Sequence, residues 1–128
     1  MIKQVFHIER YWKVVVYYNV DYDHFDYIIK DMKMNSLPIE EMIGIKQKLR
    51  KVYGVTISIL SKKLSIVIFN RHKSKDEYIS TIVHEAEHIK QDMFKYYNAE
   101  DKGEDSAYAI GYIVKQMYSV IKDIICSQ

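Results

Sequence analysis

Ser74–Tyr97 reads SKDEYISTIVHEAEHIKQDMFKYY. Ser74 and Glu77 fit S-x-x-E, in which a serine side chain caps the start of a helix. Apolar residues then recur at Ile79, Ile82, Val83, Ala86, Ile89, Met93 and Phe94, the spacing of one helical face. No glycine or proline interrupts them. The stretch is therefore expected to be one helix with a buried stripe. His84-Glu85-Ala86-Glu87-His88 lies in its middle.

Each fixed position of that H-E-x-x-H pentapeptide has its own chemistry. His84 and His88 are one turn apart on a helix, so two neutral imidazoles can hold one zinc ion. Glu85 sits just off that face, where a carboxylate can take a proton from water. A polar helix face carrying these residues by chance is the plain alternative. Histidine is not favoured on helix surfaces, and the i, i+4 pair is poorly explained by solvation alone.

A catalytic zinc usually takes three protein ligands and leaves a position for water. No histidine follows His88, so a pattern with a third histidine downstream is excluded and a carboxylate is needed. Asp92 is one turn beyond His88 on the same helix, better placed to support a ligand than to be one. Asn98 to Gly103 reads as a turn. A second helix follows from about Glu104 to Ile125, with an apolar stripe at Ile110, Ile113, Val114, Met117, Val120, Ile121 and Ile124. Glu104 is the preferred third ligand and Asp105 the alternative. Against it stands the ordinary preference for acidic residues in a first helical turn. Glu104, Tyr108, Gly111 and Tyr112 share one face by spacing. Gly111 is expected to let the two helices approach closely. Tyr108 and Tyr112 are candidate donors to an oxyanion, set against simple packing between helices. His72 is a further candidate donor, read more simply as a loop residue.

These residues resemble the gluzincin class of zinc metallopeptidases, with H-E-x-x-H on one helix and a glutamate ligand on the next. The resemblance implies His84, His88 and Glu104 as zinc ligands and Glu85 as general base. Thr81 to Tyr118, about a third of the chain, also resembles a group of small proteins of phages and mobile elements from gut bacteria. Their second motif, G-E-x-x-A-Y-x-x-G-Y, reads here Gly103-Glu104-Asp105-Ser106-Ala107-Tyr108-Ala109-Ile110-Gly111-Tyr112. Larger gluzincins place an aspartate one turn after the glutamate, where this chain has Tyr108. A supporting carboxylate must then come from Asp105 or Asp92, or a backbone carbonyl must serve.

The front half reads as strands Val5–Arg10 and Trp12–Asn19, then a helix Tyr22–Met34 with Asp21 as cap. A break at Asn35-Ser36-Leu37-Pro38 opens another helix with Pro38 in its first turn, ended near Tyr53 by Gly54. Val55–Leu60 and Leu64–Phe69 form a hairpin. Ser65-Ile66-Val67-Ile68-Phe69 is apolar enough to be central or covered on both faces. The expected fold is α+β, a small antiparallel or mixed sheet of about four strands against helices, in one domain over 1–128. Zincin-type peptidases resemble this order, and that resemblance implies an edge strand just before the active-site helix that pairs with extended substrate.

Composition narrows the function classes. The chain has 128 residues, a net charge of +2, and 48% hydrophobic residues. Its single cysteine, Cys126, excludes an intramolecular disulfide framework and a cysteine-rich zinc site. Met1–Trp12 lacks the apolar core of a signal peptide, and no apolar run approaches a membrane span. A soluble, cytoplasmic protein is expected. Basic clusters at Lys46–Lys51 and Arg71–Lys75 accompany no recognised DNA-binding motif, so nucleic acid is not an expected partner; the first reads as the solvated face of a helix. The function expected is zinc-dependent peptide hydrolysis on a peptide or protein substrate. The competing expectation is a non-catalytic phage or mobile-element accessory protein, with a structural or degenerate metal site, that binds a protein partner.

Overall fold

The computed structural model describes residues 1–33 and 39–126. The elements run β1 (Ile2–Ile8), β2 (Trp12–Val20), α1 (Phe25–Lys33), α2 (Ile39–Lys48), β3 (Gly54–Ile59), β4 (Leu64–Asn70), α3 (Lys75–Tyr96) and α4 (Gly103–Cys126). The strands form one mixed sheet in the order β1-β2-β4-β3. β1 and β3 run antiparallel to their neighbours, and β2 and β4 run parallel to each other. The α+β expectation is met. The break at Asn35–Pro38 lies outside the described residues.

Helices cover both faces of the sheet. One face, with Phe6, Val14, Val16, Tyr18, Val67 and Phe69, packs against α3 and α4 through Ile82, Ala86, Ile89, Ile113 and Met117. The other, with Val15, Tyr17, Val55, Ile66 and Ile68, packs under Phe25, Ile28, Ile45 and Leu49. The alternation follows from the period-2 geometry of strands. It explains why Leu64 to Phe69 is buried at every position: this strand is central and covered on both sides.

Several boundaries differ from the sequence reading. Glu9 and Arg10 belong to the β1–β2 turn rather than to β1, and both adopt left-handed backbone (φ 56° and 70°). Neither is the glycine or asparagine that usually announces such a turn. α2 ends at Lys48, and Gly54 opens β3 instead of ending a helix. His72 lies in the loop between β4 and α3, as its sequence reading has it, but it is buried there. Its ring stacks on Tyr78 at 4.1 Å. Nδ1 lies 2.8 Å from the Asn70 carbonyl oxygen, and Nε2 lies 2.9 Å from Thr81 Oγ1. No described helix is long and apolar enough to cross a membrane.

Burial holds the His72 imidazole below its ordinary value of 6.5. As the pH falls, the unfolded chain therefore takes up this proton before the folded one does, which favours unfolding. Stability is expected to decline as the pH drops below about 6.5, and less steeply in His72→Gln. Urea unfolding midpoints between about pH 5 and 8 check this.

Candidate metal centre

α3 begins as its sequence requires, with Ser74 Oγ accepting from the Glu77 backbone N–H at 3.2 Å. Its apolar stripe turns Ile82, Ala86 and Ile89 into the core, which leaves His84 and His88 exposed on the flank beside β3. Their Nε2 atoms stand 3.1 Å apart. Two nitrogens bound to one tetrahedral zinc at 2.0–2.1 Å would stand about 3.3 Å apart. At the observed distance one neutral imidazole can also donate to the other. One ligand atom each from His84, Glu85 and His88 lies within 4.8 Å of the others. The pair thus fits a zinc ion without a change of helix geometry.

Glu85 is buried, unlike the histidines. Its Oε2 accepts from Thr56 Oγ1 on β3 at 3.0 Å. Gly54 makes this approach feasible. A Cβ at Gly54 would lie 2.8 Å from Thr81 Cγ2, 3.1 Å from Phe69 Cδ1 and 3.3 Å from Glu85 Cγ. Thr81 is β-branched and helical, so its methyl has little freedom to withdraw. Gly54→Ala is therefore expected to cost about 1–3 kcal/mol of stability and to displace Glu85. Chemical denaturation compared with wild type measures the first effect.

The next residue on the same side of β3 continues the contact. Ser58 Oγ donates to Asp92 Oδ2 at 2.6 Å and lies 2.7 Å from Ser65 Oγ, which accepts from Trp12 Nε1 at 2.9 Å. Asp92 is thus engaged with β3 rather than with a histidine ring. Gly54, Thr56 and Ser58 were not singled out as site residues by the sequence reading. Their alternation with Val55, Ile57 and Ile59 was the available signal: small or polar residues toward α3, apolar ones toward the opposite layer.

β3 is an edge of the sheet. Just before the β3–β4 ladder, which begins at Gly54↔Phe69, the Asn70 N–H donates to the Tyr53 carbonyl at 2.9 Å, so the Tyr53 carbonyl points toward β4. Bonded and non-bonded pairs alternate in an antiparallel ladder. The backbone N–H and C=O groups of Gly54, Thr56 and Ser58 therefore point away from β4, toward the open edge. Gly54 and Thr56 border a cleft of about 470 Å³ whose lining includes Lys48, Lys51, Tyr53, Thr81, His84 and His88.

The other expected site residues lie elsewhere. Glu104 is exposed in the first turn of α4, and its carboxylate is not part of the His84–Glu85–His88 group. Asp105, Tyr108 and Tyr112 line a separate cavity with Ile8, Met93 and Phe94. The Tyr112 hydroxyl donates to the His7 carbonyl at 2.9 Å, so it serves packing between α4 and β1, not an oxyanion at the histidines. A Cβ at Gly111 would meet nothing within 4 Å, so this glycine does not mediate a close helix contact. The cause is the rotational setting of α4. Ile113, Met117, Ile121 and Ile124 are its buried stripe, and Glu104, nine residues before Ile113, points about 180° away from it at 100° per residue.

The start of α4 is fixed by another polar group. Lys90, buried on α3, pairs with Glu87 at 2.8 Å and with Asp101 at 3.0 Å, and Ser106 Oγ donates to Asp101 at 2.7 Å. The Ser106 and Lys90 contacts hold the Asp101 carboxyl below its ordinary value. No protein-family model, curated protein or solved structure matches the chain.

Proposed function

We propose that this chain is a zinc-dependent peptide hydrolase of zincin-like build, with His84 and His88 as metal ligands and Glu85 as general base. The observation that carries the reading is the juxtaposition of His84, Glu85 and His88 with an open strand edge. An extended peptide can add to that edge through main-chain hydrogen bonds to Gly54, Thr56 and Ser58, which would place a backbone carbonyl beside the histidines. Zinc at such a site supplies Lewis acidity that makes water a competent nucleophile near neutral pH. Glu85 takes the proton of the attacking water and returns it to the leaving amine. The Thr56 hydroxyl donates to one Glu85 oxygen and so orients the carboxylate, leaving the second oxygen for proton transfer. For Glu104 to serve as third ligand, the first turn of α4 would have to approach His88.

Cleavage of a mixed peptide pool, followed by mass spectrometry, tests the reading. Zinc-loaded protein is expected to hydrolyse peptides, and a chelator to stop it. No cleavage by zinc-loaded protein would overturn it. The position of Glu104 favours one competing reading, a non-catalytic metal site in a protein that acts by binding a partner. Four protein ligands and no solvent position on the bound ion would support that alternative.

A further inference from the structure

The cleft beside the histidines has a one-sided charge. Lys48 ends α2 and Lys51 lies in the turn before β3, and both line the cleft. Among the described residues the sole acidic side chain in its lining is Glu85, whose carboxylate is buried against Thr56. Among the described residues neither lysine is paired with a carboxylate. The turn that carries them is held in place from β4. Asn70 Nδ2 donates to the Leu49 carbonyl at 2.6 Å and to the Val52 carbonyl at 3.0 Å. Leu49 is buried beneath it. The two ammonium groups therefore project from a fixed backbone at one end of the open edge, rather than lying on a solvated helix face remote from the site.

Their end of the edge is defined by register. Gly54 packs against Thr81 and Glu85, and Ser58 meets Asp92, so β3 and α3 run in the same direction and the lysines lie beyond the Gly54 end. Antiparallel addition is the more stable strand pairing. A peptide added to β3 in that sense carries its C-terminal portion toward Lys48 and Lys51. Resting on the hydrolase reading above, we infer that the cleft selects peptides bearing a carboxylate on the C-terminal side of the cleaved bond, with Lys48 and Lys51 as the specificity-determining residues. An acidic side chain and the free C-terminus of a short peptide supply the same chemistry. Exposed ion pairs are individually weak, so the two lysines together are expected to give about a tenfold preference, reduced by salt.

The test compares matched peptide sets: Asp or Glu C-terminal to the scissile bond, the same sequences with Asn or Gln, and neutral sequences with a free or an amidated C-terminus. Cleavage rates with zinc-loaded wild type are read beside fluorescence-anisotropy binding to Glu85→Gln. The expected result is about tenfold faster cleavage and tighter binding of the carboxylate-bearing peptides. Preference for Asp and Glu identifies the side chain as the source, and preference for a free over an amidated end identifies the terminus. In Lys48→Gln/Lys51→Gln the ratio should collapse toward one, and in Lys48→Glu/Lys51→Glu it should invert toward basic peptides. Lys122→Gln, an exposed change on α4, should keep the ratio. Equal handling of acidic and amide peptides, a preference that survives in the double variants, or tighter binding of a DNA oligonucleotide than of acidic peptides would overturn the inference. Cleavage without acidic preference would sink this inference alone. Acidic binding with no cleavage would sink the hydrolase reading and leave the charge selectivity standing.

Discussion

Glu85→Gln is expected to bind zinc as wild type does and to lose peptide hydrolysis by about 10²–10⁴-fold. The amide has the shape of the carboxylate, and its oxygen can still accept from Thr56 Oγ1, so the packing around Gly54 and Thr81 should persist. What it lacks is the basicity to take a proton from water and return it to the amine. Turnover, zinc content and melting temperature must be measured together. Lost turnover with metal and melting temperature retained is the signature of a base. A variant that unfolds more readily but keeps the turnover of its folded fraction would assign Glu85 a packing role only.

The second large effect concerns the histidines. A ligand that binds only the folded state stabilises it by RT ln(1 + [L]/Kd), about 2.7 kcal/mol at a hundredfold excess over Kd. For a domain of this size that raises the melting temperature by roughly 10 °C. Zinc should produce this rise in wild type and none in His84→Ala or His88→Ala. Both side chains are exposed and alanine is the best helix former, so each variant should fold as stably as the metal-free wild type. The comparison therefore separates metal binding from fold stability. An equal zinc-induced rise in all three proteins would place the ion elsewhere.

Local patterns made much of the architecture legible. Ser74 with Glu77 marked the start of α3, and the stripe from Ile79 to Phe94 set which face is buried. The apolar run of β4 announced a strand covered on both sides. The features that escaped depend on long-range geometry. Gly54 can read as a helix terminator or as a point of close approach, and Thr81, 27 positions away and meeting its missing side chain, decides which. The same holds for His72, whose burial depends on Tyr53, Tyr78 and Thr81 converging on it. Within the candidate site, His84, Glu85 and His88 were legible because one helical turn fixes their relation. Glu104, Tyr108 and Tyr112 were misplaced because spacing shows which residues share a face of α4 but not where that face points. The buried stripe from Ile113 to Ile124 decides the direction, and it turns Glu104 outward. Lys48 and Lys51 gained meaning only once the turn held by Asn70 placed them at the cleft.

The proposed metal site holds one zinc ion between His84 and His88, beside Glu85. Anomalous diffraction at the zinc absorption edge, on crystals of the zinc-loaded protein, tests it most directly. The expected result is a single peak about 2.0–2.1 Å from Nε2 of both histidines, with the Glu85 carboxylate beside it and a coordination position open toward the β3 edge. A map with no peak between His84 and His88, or with zinc bound only at other residues, would contradict it.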